Sequence, residues 1–136
     1  MDDDPLVARS VVRALGSAHD VVATSSGAEA LAKLESGEHF DAVLCDVMMP
    51  EMTGAQLYAR VEALDPQLAR RFVFLTGGAF TEDAIEFLRR VAGPCLDKPF
   101  DAEQLRKAVE WAAQGPDAPL APRMTPRPWP REDPAP

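Results

Sequence analysis

Two hydrophobic periods alternate along the chain. Short apolar runs without helical spacing predict strands at residues 19–24, 42–46, 71–76 and 95–96. Longer stretches in which apolar residues recur every three or four positions predict helices at residues 6–15, 28–34, 53–64, 82–91 and 102–113. Strands that alternate with helices indicate a parallel sheet with helices on both faces. The pattern therefore predicts an α/β domain with a doubly wound parallel sheet.

Two of these helices carry specific expectations. Residues 25–27 supply a cap for the second helix, which is expected to face the core with the small and aliphatic residues Ala28, Leu31, Ala32 and Leu34. The third helix is expected to end at Asp65, because the residue before a proline disfavours helical geometry.

The central strand ends in a carboxylate. Its apolar run, residues 42–45, leads directly into Asp46, and Pro50 closes the loop that follows. Ligands of open α/β sheets bind at the carboxyl ends of the strands, which makes Asp46 a candidate site residue. An aspartate that opens a turn through its own backbone is the alternative, and the strand alone leaves both interpretations open.

Composition narrows the class of protein. A chain of 136 residues with 46% hydrophobic residues can build the core of one domain. The net charge of −8 argues against nucleic acid or an anionic membrane as a partner. Only two cysteines occur, each inside a short apolar run, which indicates reduced thiols in a cytoplasmic protein. No apolar run is long enough to span a membrane, so no membrane contact is expected.

The chain divides into two regions. Residues 1–114 carry the alternating pattern and are predicted to form the folded domain. Residues 115–136 are rich in proline and show no apolar period, so they cannot bury a core and are predicted to form a disordered tail.

Polar residues follow the predicted strands or precede the first helix. Asp2, Asp3 and Asp4 precede the first helix, while Asp46, Thr76 and Lys98 follow three different strands. All six are expected at one edge of the sheet, where clustered carboxylates need a cation and Mg²⁺ suits their oxygen atoms. A lysine and a hydroxyl nearby could bind phosphoryl oxygens, which predicts phosphoryl transfer onto Asp46. Taken singly, each residue is equally an ordinary surface, cap or strand-end residue.

Four motifs carry a resemblance to a known family. They are DDDP at residues 2–5, LCDVMMPEMTG at 44–54, FLTGG at 74–78 and DKPF at 97–100. In this order and at this spacing the chain resembles the receiver domain of two-component response regulators, over about residues 2–113. The resemblance implies a flavodoxin-like fold and a phospho-accepting role in phosphorelay signal transduction.

The resemblance also implies residue roles. Asp46 would be the phosphoacceptor; Asp2 and Asp3 would be the acidic pair for Mg²⁺, with Asp3 as the direct ligand. The backbone carbonyl of Met48 would complete the metal site with Asp46. Thr76 and Lys98 would bind the phosphoryl group.

Partners follow from the same resemblance. The phosphoryl donor would be a histidine kinase or a histidine phosphotransfer domain, and the TGG and PCLDKPF sequences resemble receivers of hybrid histidine kinases. Such a domain catalyses its own modification and is no ordinary turnover enzyme. A degenerate receiver-like interaction domain that is not phosphorylated is the alternative, and a homodimer is left open.

One departure from the family is large. An apolar strand normally precedes the acidic pair, and here only Met1 stands before Asp2. The sheet is therefore expected to lack an interior strand, so that the domain folds poorly, closes its sheet differently or borrows a strand. Asp2 and Asp3 are expected on a fraying end.

Overall fold

A three-stranded parallel sheet forms the centre of the protein. The computed structural model describes residues 1–49, 51–77, 81–91 and 94–114. Its strands are β1 (Val43–Asp46), β2 (Phe72–Thr76) and β3 (Cys95–Asp97), hydrogen-bonded in the order β1-β2-β3. The predicted parallel sheet is confirmed, and three of the four predicted strands are present.

Six helices of the described ranges surround the sheet. They are α1 (Pro5–Leu15), α2 (Gly27–Glu35), α3 (Gly54–Leu64), α4 (Pro66–Ala69), α5 (Glu82–Arg90) and α6 (Ala102–Ala113). The first turn of each helix is capped by a side-chain oxygen that accepts a backbone N–H group. The capping residues are Asp4, Ser26, Thr53, Asp65, Thr81 and Asp101. All five predicted helices are confirmed within a few residues at each end.

Helix α4 was not predicted. Asp65 and Pro66 end α3 as expected, but the Asp65 carboxylate accepts the N–H groups of Gln67 and Leu68, and Pro66 takes the first helical position. The same two residues therefore end one helix and begin a short one.

The core lies on both faces of the sheet, because successive strand residues point to opposite sides. Phe72 and Phe74 pack with α2, α3 and α5 on one face. Val73 and Leu75 pack with α1 and α6 on the other. Helices on both faces confirm the doubly wound, flavodoxin-like arrangement.

The predicted inner face of α2 was partly wrong. The helix buries Gly27, Ala30 and Leu31, whereas Ala28 and Ala32 are exposed. A Cβ at Gly27 would lie only 2.9 Å from the Met52 Cβ, so the first turn lies against the loop that follows β1. That contact rotates the helix by about one residue relative to the prediction.

The predicted strand at residues 19–24 was also wrong. This segment runs on one side of β1 without strand pairing in the described part of the chain. Between them lie only Met1 and Asp2: the Met1 amino group donates to the Leu44 carbonyl at 2.6 Å, and the Asp2 N–H donates to the Thr24 carbonyl at 3.2 Å. A segment with the sequence pattern of a strand forms one only when it can pair with a neighbouring strand. Here the neighbouring segment is only two residues long. In the described ranges no strand lies between β1 and residues 19–24, which is consistent with the expected lack of an interior strand.

Three further expectations concern the whole chain. Neither Cys45 nor Cys95 forms a disulfide, and Cys45 is buried while Cys95 is half-buried. Across the described ranges, no helix combines the length and apolar character needed to cross a bilayer. The predicted tail, residues 115–136, falls outside the described residues, so the boundary at residue 114 stays a prediction.

Candidate functional site

Asp46 lies at the carboxyl end of β1, with its side chain buried. Its Oδ1 accepts the Met48 N–H at 3.1 Å, which fixes the carboxylate over the start of the following loop. Helix α3 begins directly beneath: a Cβ at Gly54 would lie 2.8 Å from the Asp46 carbonyl oxygen. Only glycine allows this approach, so Gly54 helps to position the carboxylate.

Lys98 joins two carboxylates from distant parts of the chain. Its backbone N–H donates to the Thr76 carbonyl at 2.8 Å, which anchors the residue after β3. Its ammonium lies 2.7 Å from Asp2 Oδ2 and 3.3 Å from Asp46 Oδ2. The predicted convergence of Asp2, Asp46 and Lys98 is thus observed.

Three carboxylates form a group that could hold a divalent cation. Oxygen atoms of Asp2, Asp3 and Asp46 all lie within 4.8 Å of one another. Asp2 Oδ2 is buried, and in the described part of the chain its one close cationic contact is the ion pair with the Lys98 ammonium, 2.7 Å away. A buried, under-satisfied carboxylate oxygen beside two further carboxylates fits Mg²⁺, which takes oxygen ligands.

The acidic pair is asymmetric. Asp2 is buried, and its Oδ1 accepts the Asp4 N–H at 2.9 Å, whereas Asp3 is exposed. Asp2 is therefore held by protein groups, and Asp3 is free to turn toward a cation. The Met48 carbonyl was predicted as a further ligand, and it stays a prediction.

Burial and mutual repulsion shift the pKa values of this group. Burial raises the pKa of Asp46, the Asp2 carboxylate adds to this, and the Met48 N–H and Lys98 oppose it. Burial alone would lower the pKa of Lys98, but its contacts with Asp2 and Asp46 outweigh burial and raise it. Burial also lowers the pKa of the Met1 amino group. Three carboxylates therefore share the site with the amino groups of Lys98 and Met1, so negative charge is in excess, which favours binding of a cation.

Thr76 lies at the same edge with its hydroxyl engaged elsewhere. The residue is buried, and the hydroxyl donates to Asp97 Oδ1 at 2.8 Å. Thr76 and Asp97 are direct partners in the β2–β3 register. Sequence reasoning placed Thr76 correctly but missed Asp97, because the register of two strands cannot be read from either strand alone.

Two other contributors were missed. The amino group of Met1 was not expected to pair with the sheet, and Gly54 was treated only as part of a motif. A glycine immediately after a helix cap, close to a strand-end aspartate, is the signal that could have indicated a tight approach.

Fold and site together define a class of protein: a doubly wound parallel domain with an acidic cluster and a lysine at the carboxyl edge of its sheet. The sequence model of the protein family described as response regulator receiver domain matches residues 1–110. The chain belongs to this family and is a receiver domain of two-component signal transduction.

Curated relatives agree with the family. The chain is 34% identical over 112 residues to the transcriptional regulatory protein ZraR of Salmonella typhimurium, covering 81% of this chain and 25% of that protein. It is 35% identical over 107 residues to the response regulator receiver protein CpdR of Brucella abortus, covering 78% and 79%. It is 35% identical over 116 residues to the sensor kinase CckA of the same organism, covering 81% and 12%. The chain thus spans only a small part of ZraR and CckA.

Solved structures show the same fold. A response regulator receiver domain protein of Clostridium thermocellum aligns with a TM-score of 0.72 at 26% identity, over 83% of this chain and 90% of that chain. A CheY-like receiver domain protein of Methanospirillum hungatei aligns with a TM-score of 0.72 at 25% identity, over 83% and 89%. The alignment persists although the interior strand is missing from the described sheet.

Proposed function

We propose that Asp46 accepts a phosphoryl group from the phosphohistidine of a histidine kinase or a histidine phosphotransfer domain, in a reaction that requires Mg²⁺. The observation that carries the proposal is the position of the Lys98 ammonium, 3.3 Å from Asp46 and 2.7 Å from Asp2. The lysine ammonium already bridges the acceptor and Asp2 of the acidic pair, and phosphoryl transfer onto a carboxylate needs positive charge at this place.

The chemistry follows from the groups present. A carboxylate oxygen of Asp46 forms a bond to phosphorus while the bond from phosphorus to the donor imidazole nitrogen breaks, and the electron pair of that bond stays on the imidazole. Mg²⁺ held by Asp2, Asp3, Asp46 and the Met48 carbonyl would supply charge neutralisation at the phosphoryl oxygens.

Lys98 and Thr76 have separate parts in this proposal. The Lys98 ammonium offsets the charge that gathers on the transferred group and keeps Asp2 and Asp46 from repelling each other. The Thr76 hydroxyl would donate to a phosphoryl oxygen, and for this it must leave Asp97.

Acetyl phosphate tests the proposal without the natural donor. With Mg²⁺, the intact mass of the chain is expected to rise by one phosphoryl group, and no gain is expected in EDTA or in an Asp46→Asn variant. Asp41→Asn is the matched control, since Asp41 is an exposed aspartate near the other end of the same strand and must still gain the group. A wild-type chain that gains nothing would favour the alternative, a receiver-like domain that only binds partners.

The setting of the chain is also a proposal. Its likeness to the CckA sensor kinase supports attachment to, or partnership with, a histidine kinase. A cytoplasmic location, the absence of nucleic-acid contact and a homodimer were inferred or left open from sequence, and they stay predictions.

A further inference from the structure

Thr76 forms two hydrogen bonds to consecutive residues at the end of β3. Its carbonyl accepts the Lys98 N–H at 2.8 Å, and its hydroxyl donates to Asp97 Oδ1 at 2.8 Å. The first bond holds the backbone of Thr76 in place, while the second holds only its side chain. The hydroxyl can therefore leave Asp97 by rotation about the Cα–Cβ bond, with the strand pairing unchanged.

The Thr76 hydroxyl has one proton to donate. In the structure this proton goes to the Asp97 carboxylate, and a second acceptor, the Leu96 carbonyl, lies 3.5 Å away, where a hydrogen bond is weak. A bond to a carboxylate is also stronger than a bond between two neutral groups. A phosphoryl group on Asp46 must therefore compete with Asp97 for the same proton.

The Thr76–Asp97 pair lies on the face of the sheet that α5 covers, which we call the α5 face. Side chains two residues apart on a strand share a face, so Thr76 lies on the same face as Phe74. Phe74 packs against Phe87 of α5, with ring centroids 5.1 Å apart. Asp97 is the partner of Thr76 in the parallel register and therefore points to this face as well.

Two side chains of β3 share the α5 face, Cys95 and Asp97. Cys95 packs against the apolar core of that face, whereas Asp97 is bonded to the Thr76 hydroxyl. When the Thr76 side chain rotates, its methyl group or its hydrogen takes the place of the hydroxyl beside the Asp97 carboxylate. A turn of Thr76 therefore changes the surroundings of Asp97 directly.

We propose that Asp97 is a positioning residue for Thr76 and carries the phosphorylation signal to the α5 face. It holds the Thr76 hydroxyl in the unphosphorylated chain and loses it when Asp46 carries a phosphoryl group. The inference rests on the proposed phosphorylation of Asp46. Because Asp97 is half-buried and anionic, its carboxylate must replace the lost donor from water. One carboxylate on the α5 face thus changes its hydrogen bonding with the state of Asp46.

The resting bond also opposes phosphoryl binding. Only chains in which the hydroxyl has left Asp97 can use it at the phosphoryl group, and the apparent affinity falls with the fraction of such chains. Asp97→Ala is therefore expected to raise the affinity for beryllofluoride, a phosphoryl mimic, about fivefold. Asp97→Asn keeps an acceptor oxygen without the charge, so its gain should be smaller, about twofold.

Carbon NMR of the Asp97 carboxylate in the full chain gives the main test. Beryllofluoride with Mg²⁺ is expected to shift this resonance. Thr76→Val should shift it in the same direction without beryllofluoride, because both changes remove the hydroxyl. In Thr76→Val, saturating beryllofluoride should add no further shift. The control is the Asp65 carboxylate, which accepts two backbone N–H groups at the start of α4 and should not respond.

Fluorine resonances of bound beryllofluoride, recorded on the same samples, separate this inference from the proposed function. Bound fluorine together with an unmoved Asp97 carboxylate would overturn the inference and leave phosphorylation of Asp46 standing. No bound fluorine in the wild-type chain would overturn both. A gain in affinity from Asp97→Ala that persists in the Thr76→Val background would also overturn the inference, because Asp97 would then act without Thr76.

Discussion

The two sides of Asp46 are built very differently. Toward β2 and β3 the sheet is continuous: Asp46 is paired with Leu75, and the Val47 N–H donates to the Leu75 carbonyl at 3.0 Å. Toward the amino end, Met1 is the sole residue that the described structure pairs with β1, and a cavity follows. Yet each side supplies charges to the same site, Lys98 from one and Asp2 and Asp3 from the other.

The comparison shows that the charged groups of a site can all be in place although the sheet on one side of it is not continuous. Asp2 is held by its own N–H bond to Thr24, by the Asp4 N–H and by the Lys98 ammonium. Among the described residues, the Lys98–Asp2 contact is the one side-chain ion pair that joins the two sides. A substitution of Lys98 should therefore have the largest effect on the stability of the site.

The largest effect is expected from Lys98→Ala. This variant leaves the buried carboxylates of Asp2 and Asp46 without their cation, which should lower the free energy of unfolding by about 3 kcal/mol in urea without Mg²⁺. Added Mg²⁺ should restore part of this loss, because it can neutralise the same two groups.

Lys107→Ala is the control for Lys98. Lys107 pairs with Glu103 across one turn of α6 in an exposed position, so its loss should cost no more than about 0.5 kcal/mol and show no response to Mg²⁺. Similar losses in the two variants would show that the two sides of Asp46 do not depend on Lys98.

The two members of the acidic pair should respond differently. Asp3→Ala is expected to weaken Mg²⁺ binding about tenfold or more with little change in stability, since Asp3 is exposed and free to turn toward the ion. Asp2→Ala should also destabilise the metal-free chain, because Lys98 and the Asp4 N–H lose their partner. Calorimetric titration and urea unfolding measure both effects, with exposed Asp20→Ala as control. Identical behaviour of Asp2 and Asp3 would contradict the asymmetry.

A smaller effect is expected on the continuous side, at Asp97. Asp97→Ala frees the Thr76 hydroxyl for a phosphoryl oxygen, so phosphoryl uptake from acetyl phosphate should become about fivefold faster. In a Thr76→Val background the Asp97 change should have no effect on the rate, because the hydroxyl is gone. An equal acceleration in both backgrounds would show that Asp97 acts by another route.

The smallest effect at neutral pH concerns Cys45, which lies between the two sides. Burial raises the pKa of its thiol from 9.0 to about 12. Between these values the unfolded chain has lost the thiol proton and the native chain has kept it, so this group lowers stability as pH rises from 9.0 to about 12. Below 9.0 it contributes no slope. In a Cys45→Ala variant the free energy of unfolding should decline less steeply across that window, as measured by urea unfolding at several pH values. Parallel curves for the two proteins would contradict the burial of the thiol.

Much of the continuous side could be predicted from the sequence, because its information is local. Short apolar runs that end in Asp46 and Thr76 place both residues at one edge without knowledge of the fold. The same holds for Lys98, whose motif follows the last strand. What could not be predicted is the Thr76–Asp97 hydrogen bond, since cross-strand register depends on both strands together.

The amino-terminal side was harder for a physical reason. The pattern at residues 19–24 has the composition of a strand, but pairing needs a neighbour of equal length, and Met1 with Asp2 is too short. Likewise, the close approach of Gly27 to Met52 changes which face of α2 is buried, and the apolar periodicity of the helix does not predict this change. Local patterns indicate what a segment can do, and its neighbours decide whether it does so.

The central claim is that Asp46, the acidic pair and Lys98 act as one phosphoryl-binding site. Beryllofluoride, a tetrahedral mimic of a phosphoryl group on a carboxylate oxygen, tests this directly by fluorine NMR. We predict bound fluorine resonances that require Mg²⁺, persist in Asp41→Asn and vanish in Asp46→Asn. Bound resonances that remain in Asp46→Asn, or that form equally well in EDTA, would contradict the account.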